Sequence, residues 1–284
     1  MYIRLASAFV SLCFLPDLVA AEGALWQVGV ARIDITPEYP IRLTGYAVRK
    51  TESEGVEQRL WAKALAIGNN REGAAILITV DNCGVCTNVT DVVAARLKIR
   101  AEMSRERLAV CSSHTHSAPC TVGFAPNIFA LPIPAEQQAT IERYTRELTD
   151  KLEQVALAAL ADRKAAKLAW NEGKAAFARN RRTAGGPVDH ALPILTVSDL
   201  DGQLRAVVVN YACHCTTLGG EFNKLCGDWA GFAQEALERD CPGAVALVTI
   251  GILCFSVTSA TGSAMFAVYG PSTRSTLSRV MSFS

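Results

Sequence analysis

The 284-residue chain carries no excess of charge: 28 Lys and Arg stand against 27 Asp and Glu, a net charge of +1. Without a strong positive field it has no means of gathering nucleic acid from a distance, so nucleic-acid binding is set aside. A second CxxC is missing beside Cys83 and Cys86, and Cys213-x-Cys215 is too closely spaced for the usual structural zinc clasps. The ten cysteines are therefore read as buried thiols or at most one local bridge, with a thiol oxidoreductase on Cys83 and Cys86 as the weakest functional reading. No internal repeat is visible. Residues 252–284 contain no Asp, Glu or Lys, a break from the composition before them.

What is present is an ordinary globular balance, 50% hydrophobic and 19% charged, enough for a sizeable core. Residues 1–21 read as an export signal. Arg4 supplies the basic start, residues 5–19 the apolar segment, and Val19 and Ala21 the small residues before a cut. The expected location is secreted or periplasmic, an environment that permits disulfides.

The chemistry gathers at residues 112–119, SSHTHSAP, where His114 and His116, two of only four histidines, follow the apolar run 107–111. If the strand continued extended, residues at i and i+2 would point to one side. A third histidine, His214, stands where the apolar run 205–209 gives out, and Asp81 ends the run 74–80. Ligand crevices in open α/β sheets lie at the carboxyl ends of strands, so these ends share one cleft if the strands are neighbours. Two or three histidines and an oxygen ligand with one open position make a catalytic zinc, which suits amide or ester hydrolysis.

Alternation over residues 26–35 and apolar runs at 60–67, 74–80, 107–111, 194–198, 205–209 and 244–250 predict strands, and 167–171 is a further candidate. Periodicity predicts helices from Thr90, as cap, to about Met103, over 135–161, and from Asp228, as cap, to about Glu238. Residues 36–58 read as a long surface loop. Residues 179–189, RNRRTAGGPVD, form a cationic loop, ordinarily a solvated face. Together these give an α/β fold, a layered mixed β-sheet core with flanking helices.

SSHTHSAP resembles the THTHSGPG signature of the neutral ceramidase family, secreted zinc amidases that split ceramide. VGVARIDITP with a following LTGY, LITVD, FARNRR, and NYACHCTTLGG followed by GDWAGFAQ resemble further family stretches in the same order. The resemblance implies Zn2+ as cofactor, with His114 and His214 as metal ligands. It makes His116 a substrate-positioning residue and Arg181 a donor near the scissile amide. It also implies a lipid-like substrate, ceramide or another N-acyl lipid, and allows contact with a membrane surface. Asp81 and Asp228 keep their plain readings, a strand-end hydrogen bonder and a helix cap.

The departures are Ala118 and Cys120 where the family has glycines, and Cys215 where proline is frequent. Residues 22–251 are read as the N-terminal part of the catalytic domain, and 252–284 as an aberrant tail from a frameshift or premature end. The fold is then incomplete relative to the full family domain, without the glutamate and tyrosine that finish the family's zinc site. The alternative function is a non-catalytic remnant or binding module. Residues 243–273 are long enough to span a bilayer, but their Ser, Thr and Gly content argues against it.

Overall fold

The computed structural model describes residues 25–129, 131–258 and 263–269; the expected export signal lies outside them. Its centre is a mixed sheet of eight strands in the order β4-β3-β2-β1-β5-β6-β7-β8. The strands are β1 (Trp26–Asp34), β2 (Trp61–Ile67), β3 (Ala75–Val80), β4 (Leu108–Ser112), β5 (Lys164–Lys174), β6 (Ala191–Ser198), β7 (Leu204–Tyr211) and β8 (Val245–Ile250). Helix α1 (Thr87–Ala101) links β3 to β4, α2 (Ala135–Ala161) links β4 to β5, and α3 (Asp228–Asp240) links β7 to β8. The pairs β3–β4 and β7–β8 are parallel, as helical crossovers require, and the remaining neighbours are antiparallel. The expected α/β architecture with a mixed sheet is what the chain forms.

The order is two copies of one topology. An antiparallel meander of three strands, a helix and a parallel fourth strand make β1-β2-β3-α1-β4. The same succession makes β5-β6-β7-α3-β8, and β1 and β5 meet in the middle. The repetition leaves no trace in the residues because the second half replaces buried apolar runs with half-exposed strands such as β5, KAAKLAWNEGK.

The sheet is curled. One apolar cluster draws Val28, Leu65, Leu77, Cys111, Ala166, Leu195, Val208 and Leu247 from all eight strands. Laid flat at about 4.8 Å per strand, the outermost strands would stand about 34 Å apart. Instead β4 touches β8. Alternation along β2 fits this: Lys63, Leu65 and Ile67 face the inside of the curl, while Ala62, Ala64 and Ala66 face the helices. Small side chains on that outer face let α2 lie close. Its stripe of Ile141, Tyr144, Leu148, Leu152, Val155 and Ala159 is buried there. Gly29 on β1 has no room for a side chain, since a Cβ would stand 2.0 Å from the Ala159 carbonyl oxygen.

Several expectations are corrected. Helix α1 begins at Thr87 after Cys86, so Thr90 is a buried residue of the first turn and not its cap. Strand β5 is twice the length expected, because its Lys and Glu sit on exposed positions that hide the pattern. Residues 36–58 are not a surface loop throughout: Ile41, Leu43, Thr44, Arg49 and Gln58 are buried. The uncharged stretch after residue 243 is built, where described, of β8, β9 (Ile252–Thr258) and β10 (Ser263–Tyr269), the last two an antiparallel pair. No helix among the described residues is long and apolar enough to cross a membrane.

Candidate active site

Three carboxyl ends meet where the curl brings its halves together. The loop after β3 carries Asp81, Asn82 and Cys83; the loop after β4 carries His114 and His116; the loop after β7 carries His214. Backbone bonds lace them together. Ser113 N donates to Val80 O at 2.9 Å and His114 N to Asn82 O at 2.9 Å, while His116 N donates to Cys215 O at 3.2 Å. Thr115 and Cys215 form a parallel bridge across the seam, and the Cys215 thiol reaches Ser113 O at 3.0 Å. The ring centroids of His114 and His214 consequently lie 4.5 Å apart, those of His114 and His116 4.9 Å, and those of His116 and His214 5.9 Å.

The two sequence-adjacent histidines do not converge through an extended strand. His114 has φ 58°, the left-handed region that a non-glycine residue adopts at a cost. That turn, held by Asn82 O, replaces the strand alternation expected from spacing. His116 packs edge-on against Tyr46, with ring centroids 5.1 Å apart, and lies over Gly45, φ 93°, where a Cβ would meet the His116 Cβ at 2.5 Å. Glycine is required at that position for both reasons.

Electrostatics keep the imidazoles neutral. Burial, the two neighbouring histidines and Arg181 pull His116 from 6.5 down to about 4. Burial and Arg181 also lower His114, against a backbone hydrogen bond that raises it; burial, His114, Arg181 and Arg182 lower His214. Neither ring nitrogen of His116 makes a hydrogen bond of ordinary geometry. His114 Nδ1 lies 2.6 Å from Cys83 O. A carbonyl only accepts, so Nδ1 carries the proton in that arrangement.

These shifts give a pH dependence with a definite sign. Between pH 6.5 and about 4 the unfolded chain takes up a proton that folded His116 refuses, so stability falls as pH drops through that window. In chelator, the urea midpoint is expected to fall between pH 7 and pH 4.5, and less steeply in His116→Gln. Equal slopes in both proteins would refute the assignment.

Arg181 is exposed and makes no hydrogen bond or ion pair among the described residues, yet it is near enough to depress all three histidines. Asp81 is a strand-end hydrogen bonder, accepting from Trp61 N and from the Gln234 side chain at 3.0 Å each. Asp228 is not the cap of α3: Gly227 holds that position and Asp228 is the first residue of the helix, its carboxylate accepting from Thr217 N, Leu218 N and Trp229 N and so fixing the loop behind His214. Trp229 Nε1 donates to His214 O at 3.1 Å. With Tyr211 and the exposed Phe177 it forms an aromatic cluster beside the histidines.

Two participants were missed from the residues alone. The buried Arg49 ties the His116 carbonyl to Thr44 and Phe222, through bonds to backbone oxygens that leave no sequence pattern. Cys83 stands beside His114, its Sγ 3.8 Å from Nδ1, and ligand atoms of Cys83, His114 and His116 all lie within 4.8 Å of one another. Its CxxC spacing drew attention to the wrong partner, because Cys86 is the residue preceding α1, and Cys83, Cys86, Cys111, Cys120, Cys213, Cys215, Cys226 and Cys241 are free thiols.

Comparison with known proteins follows the same boundaries. The family profile described as neutral/alkaline non-lysosomal ceramidase, N-terminal, matches residues 26–260. The neutral ceramidase of Drosophila melanogaster is 25% identical over 251 residues, 82% of this chain and 34% of that protein. That of Pseudomonas aeruginosa is 22% identical over 257 residues, 82% of this chain and 38% of that protein. The crystal structure of the Pseudomonas aeruginosa protein superposes with a TM-score of 0.67 at 22% identity, covering 82% of this chain and 38% of that one. A second solved structure, a ceramidase complexed with C2, gives 0.66. The chain thus spans little more than a third of the length of these relatives.

Proposed function

The chain belongs to the neutral/alkaline non-lysosomal ceramidase family, and from that premise we propose that its histidine centre is a zinc-dependent amidase site. The substrate class is ceramide or a related N-acyl lipid. The observation that carries the reading is the set of three imidazoles brought together across the seam, one of which, His116, has both ring nitrogens buried and unpaired. Lone pairs held free of protons at neutral pH are what a divalent metal needs, so the residues fit the ion.

His114 and His214 hold the zinc in this reading. When bound, the ion would supply an acidic water and a polarised carbonyl. His116, outside that pair, orients the substrate amide with its unpaired ring nitrogens. Arg181, without another partner among the described residues, offers its guanidinium to the oxygen on which charge develops. Phe177, Tyr211 and Trp229 offer apolar surface to an acyl or sphingoid chain beside the reacting bond. The same reading takes residues 1–21 as an export leader, residues 22–251 as the part carrying the site, and a secreted or periplasmic location, with substrate drawn from a membrane surface.

Zinc content after dialysis in metal-free buffer, and fatty-acid release from a short-chain ceramide, test the proposal on the full chain. About one zinc per chain is expected. It should be lost in His114→Ala/His214→Ala. Release should fall by more than the roughly 10–100-fold that removal of a supporting partner costs. Zinc retained without turnover would make the chain a binding module; no zinc in either protein would overturn the metal reading.

A further inference from the structure

We propose that Cys83 is a metal ligand: its thiolate, Nδ1 of His114 and a ring nitrogen of His116 form a sulfur-bearing metal position in the histidine centre. This rests on the reading above that His114 holds a metal, and describes a second arrangement of the same centre, in which His116 serves as a ligand instead of orienting substrate.

The argument starts from the doubled topology. His214 stands three residues beyond the last residue of β7, Tyr211; Cys83 stands three residues beyond the last residue of β3, Val80. Strands β3 and β7 are the third strands of their respective halves. Each half therefore presents one donor at the same place, a thiol from the first and an imidazole from the second, with His114 between them.

The distances suit an ion. Sulfur and nitrogen ligands at about 2.3 and 2.05 Å from a tetrahedral zinc stand about 3.6 Å from each other. Cys83 Sγ and His114 Nδ1 are 3.8 Å apart. The remaining separations, all within 4.8 Å, close by about an ångström around an ion of that kind. His116 brings two unpaired nitrogens to the cluster and Cys83 is 97% buried, so both are committed to the interior and neither has another strong partner.

Burial holds the free Cys83 thiol protonated. As the sulfur–metal bond forms, its proton leaves to solvent, and no electron changes hands. Nδ1 of His114 gives up its proton and its bond to Cys83 O, and the tautomer with the proton on Nε2 takes over. A single Nδ1 cannot serve the carbonyl and the metal together. The thiolate arrangement and the His114–His214 pair are thus alternatives at one residue, and the softer donor set favours zinc, cadmium or cobalt over magnesium or calcium.

Cobalt(II) titrated alone into the chelator-treated full chain decides the matter. A near-ultraviolet sulfur-to-cobalt charge-transfer band should accompany the visible ligand-field bands. The charge-transfer band should disappear in Cys83→Ser and persist in Cys86→Ser and His214→Ala. Wild type loaded with cadmium-113 gives a reading independent of any variant's folding: sulfur ligation moves its resonance downfield of an all-nitrogen and oxygen site. Ligand-field bands that need His214, with no charge-transfer band and no downfield cadmium signal, overturn the thiolate while leaving the zinc reading standing. Failure to bind cobalt or cadmium overturns both.

Discussion

Arg49→Met is expected to lower the stability of the chain by about 5 kcal/mol and to disorder the His116 loop with it. The guanidinium is 4% exposed, and no carboxylate pairs with it among the described residues. Its charge is spread over backbone oxygens instead: Nη1 donates to Thr44 O at 2.6 Å and to His116 O, Nη2 to Phe222 O at 2.7 Å, and its plane lies over Tyr46 at 5.0 Å. Three segments far apart in the chain are fastened to one side chain. Methionine fills the space but orphans all three carbonyls, and hydrogen bonds to a charged group are worth about 1.5–3 kcal/mol each. The sum is offset in part by relief of a buried charge that desolvation already disfavours. Lysine should recover only part of the loss, since a compact ammonium cannot reach three oxygens in a plane. Urea midpoints for the three proteins measure this, and a loss under about 1 kcal/mol in Arg49→Met would refute it.

Glu238→Leu is expected to cost about 3–5 kcal/mol, and adding Lys63→Met should restore most of it. Lys63 sits inside the curl at 1% exposure, its Nζ 2.7 Å from Glu238 Oε1 and 2.9 Å from Ala246 O. The same carboxylate takes Ala246 N at 3.0 Å and Arg32 at 2.6 Å, so α3 is pinned to β2, β1 and β8 through one residue. Removing the acid strands a buried ammonium, for which burial already disfavours the charge. Removing both takes away the stranded charge and leaves in the interior only the Ala246 N–H and carbonyl without their side-chain partners. A double-mutant cycle reports the coupling directly, and additive losses would show that the pair acts separately.

How much of this was legible in the sequence follows from how each element is buried. Strands β2 and β3 are covered on both faces and read as apolar runs interrupted only by Lys63 and Thr79, and α2 shows its stripe over 27 residues. The half-exposed β5 hides its length, and the buried part of residues 36–58 hides because its order comes from Arg49 and not from an apolar period. The histidines were visible as residue types at strand ends, and the structure does bring them together. The reasons differ from those the spacing offered: a left-handed turn at His114, and a bridge between Thr115 and Cys215, 100 residues apart. Curling of the sheet is a property of all eight strands at once, and no single window of sequence contains it.

The doubled architecture also shapes how the protein answers to its occupants. His114 belongs to one half and His214 to the other, so anything gripping both acts as a rivet through the join and must be released before the halves can part. Such an occupant stabilises by mass action, by about 2.7 kcal/mol at a hundred times its dissociation constant. The melting temperature then becomes a gauge of free ion concentration. A chain kept stable by its ion would meet a metal-poor environment by loosening along the line between β4 and β8.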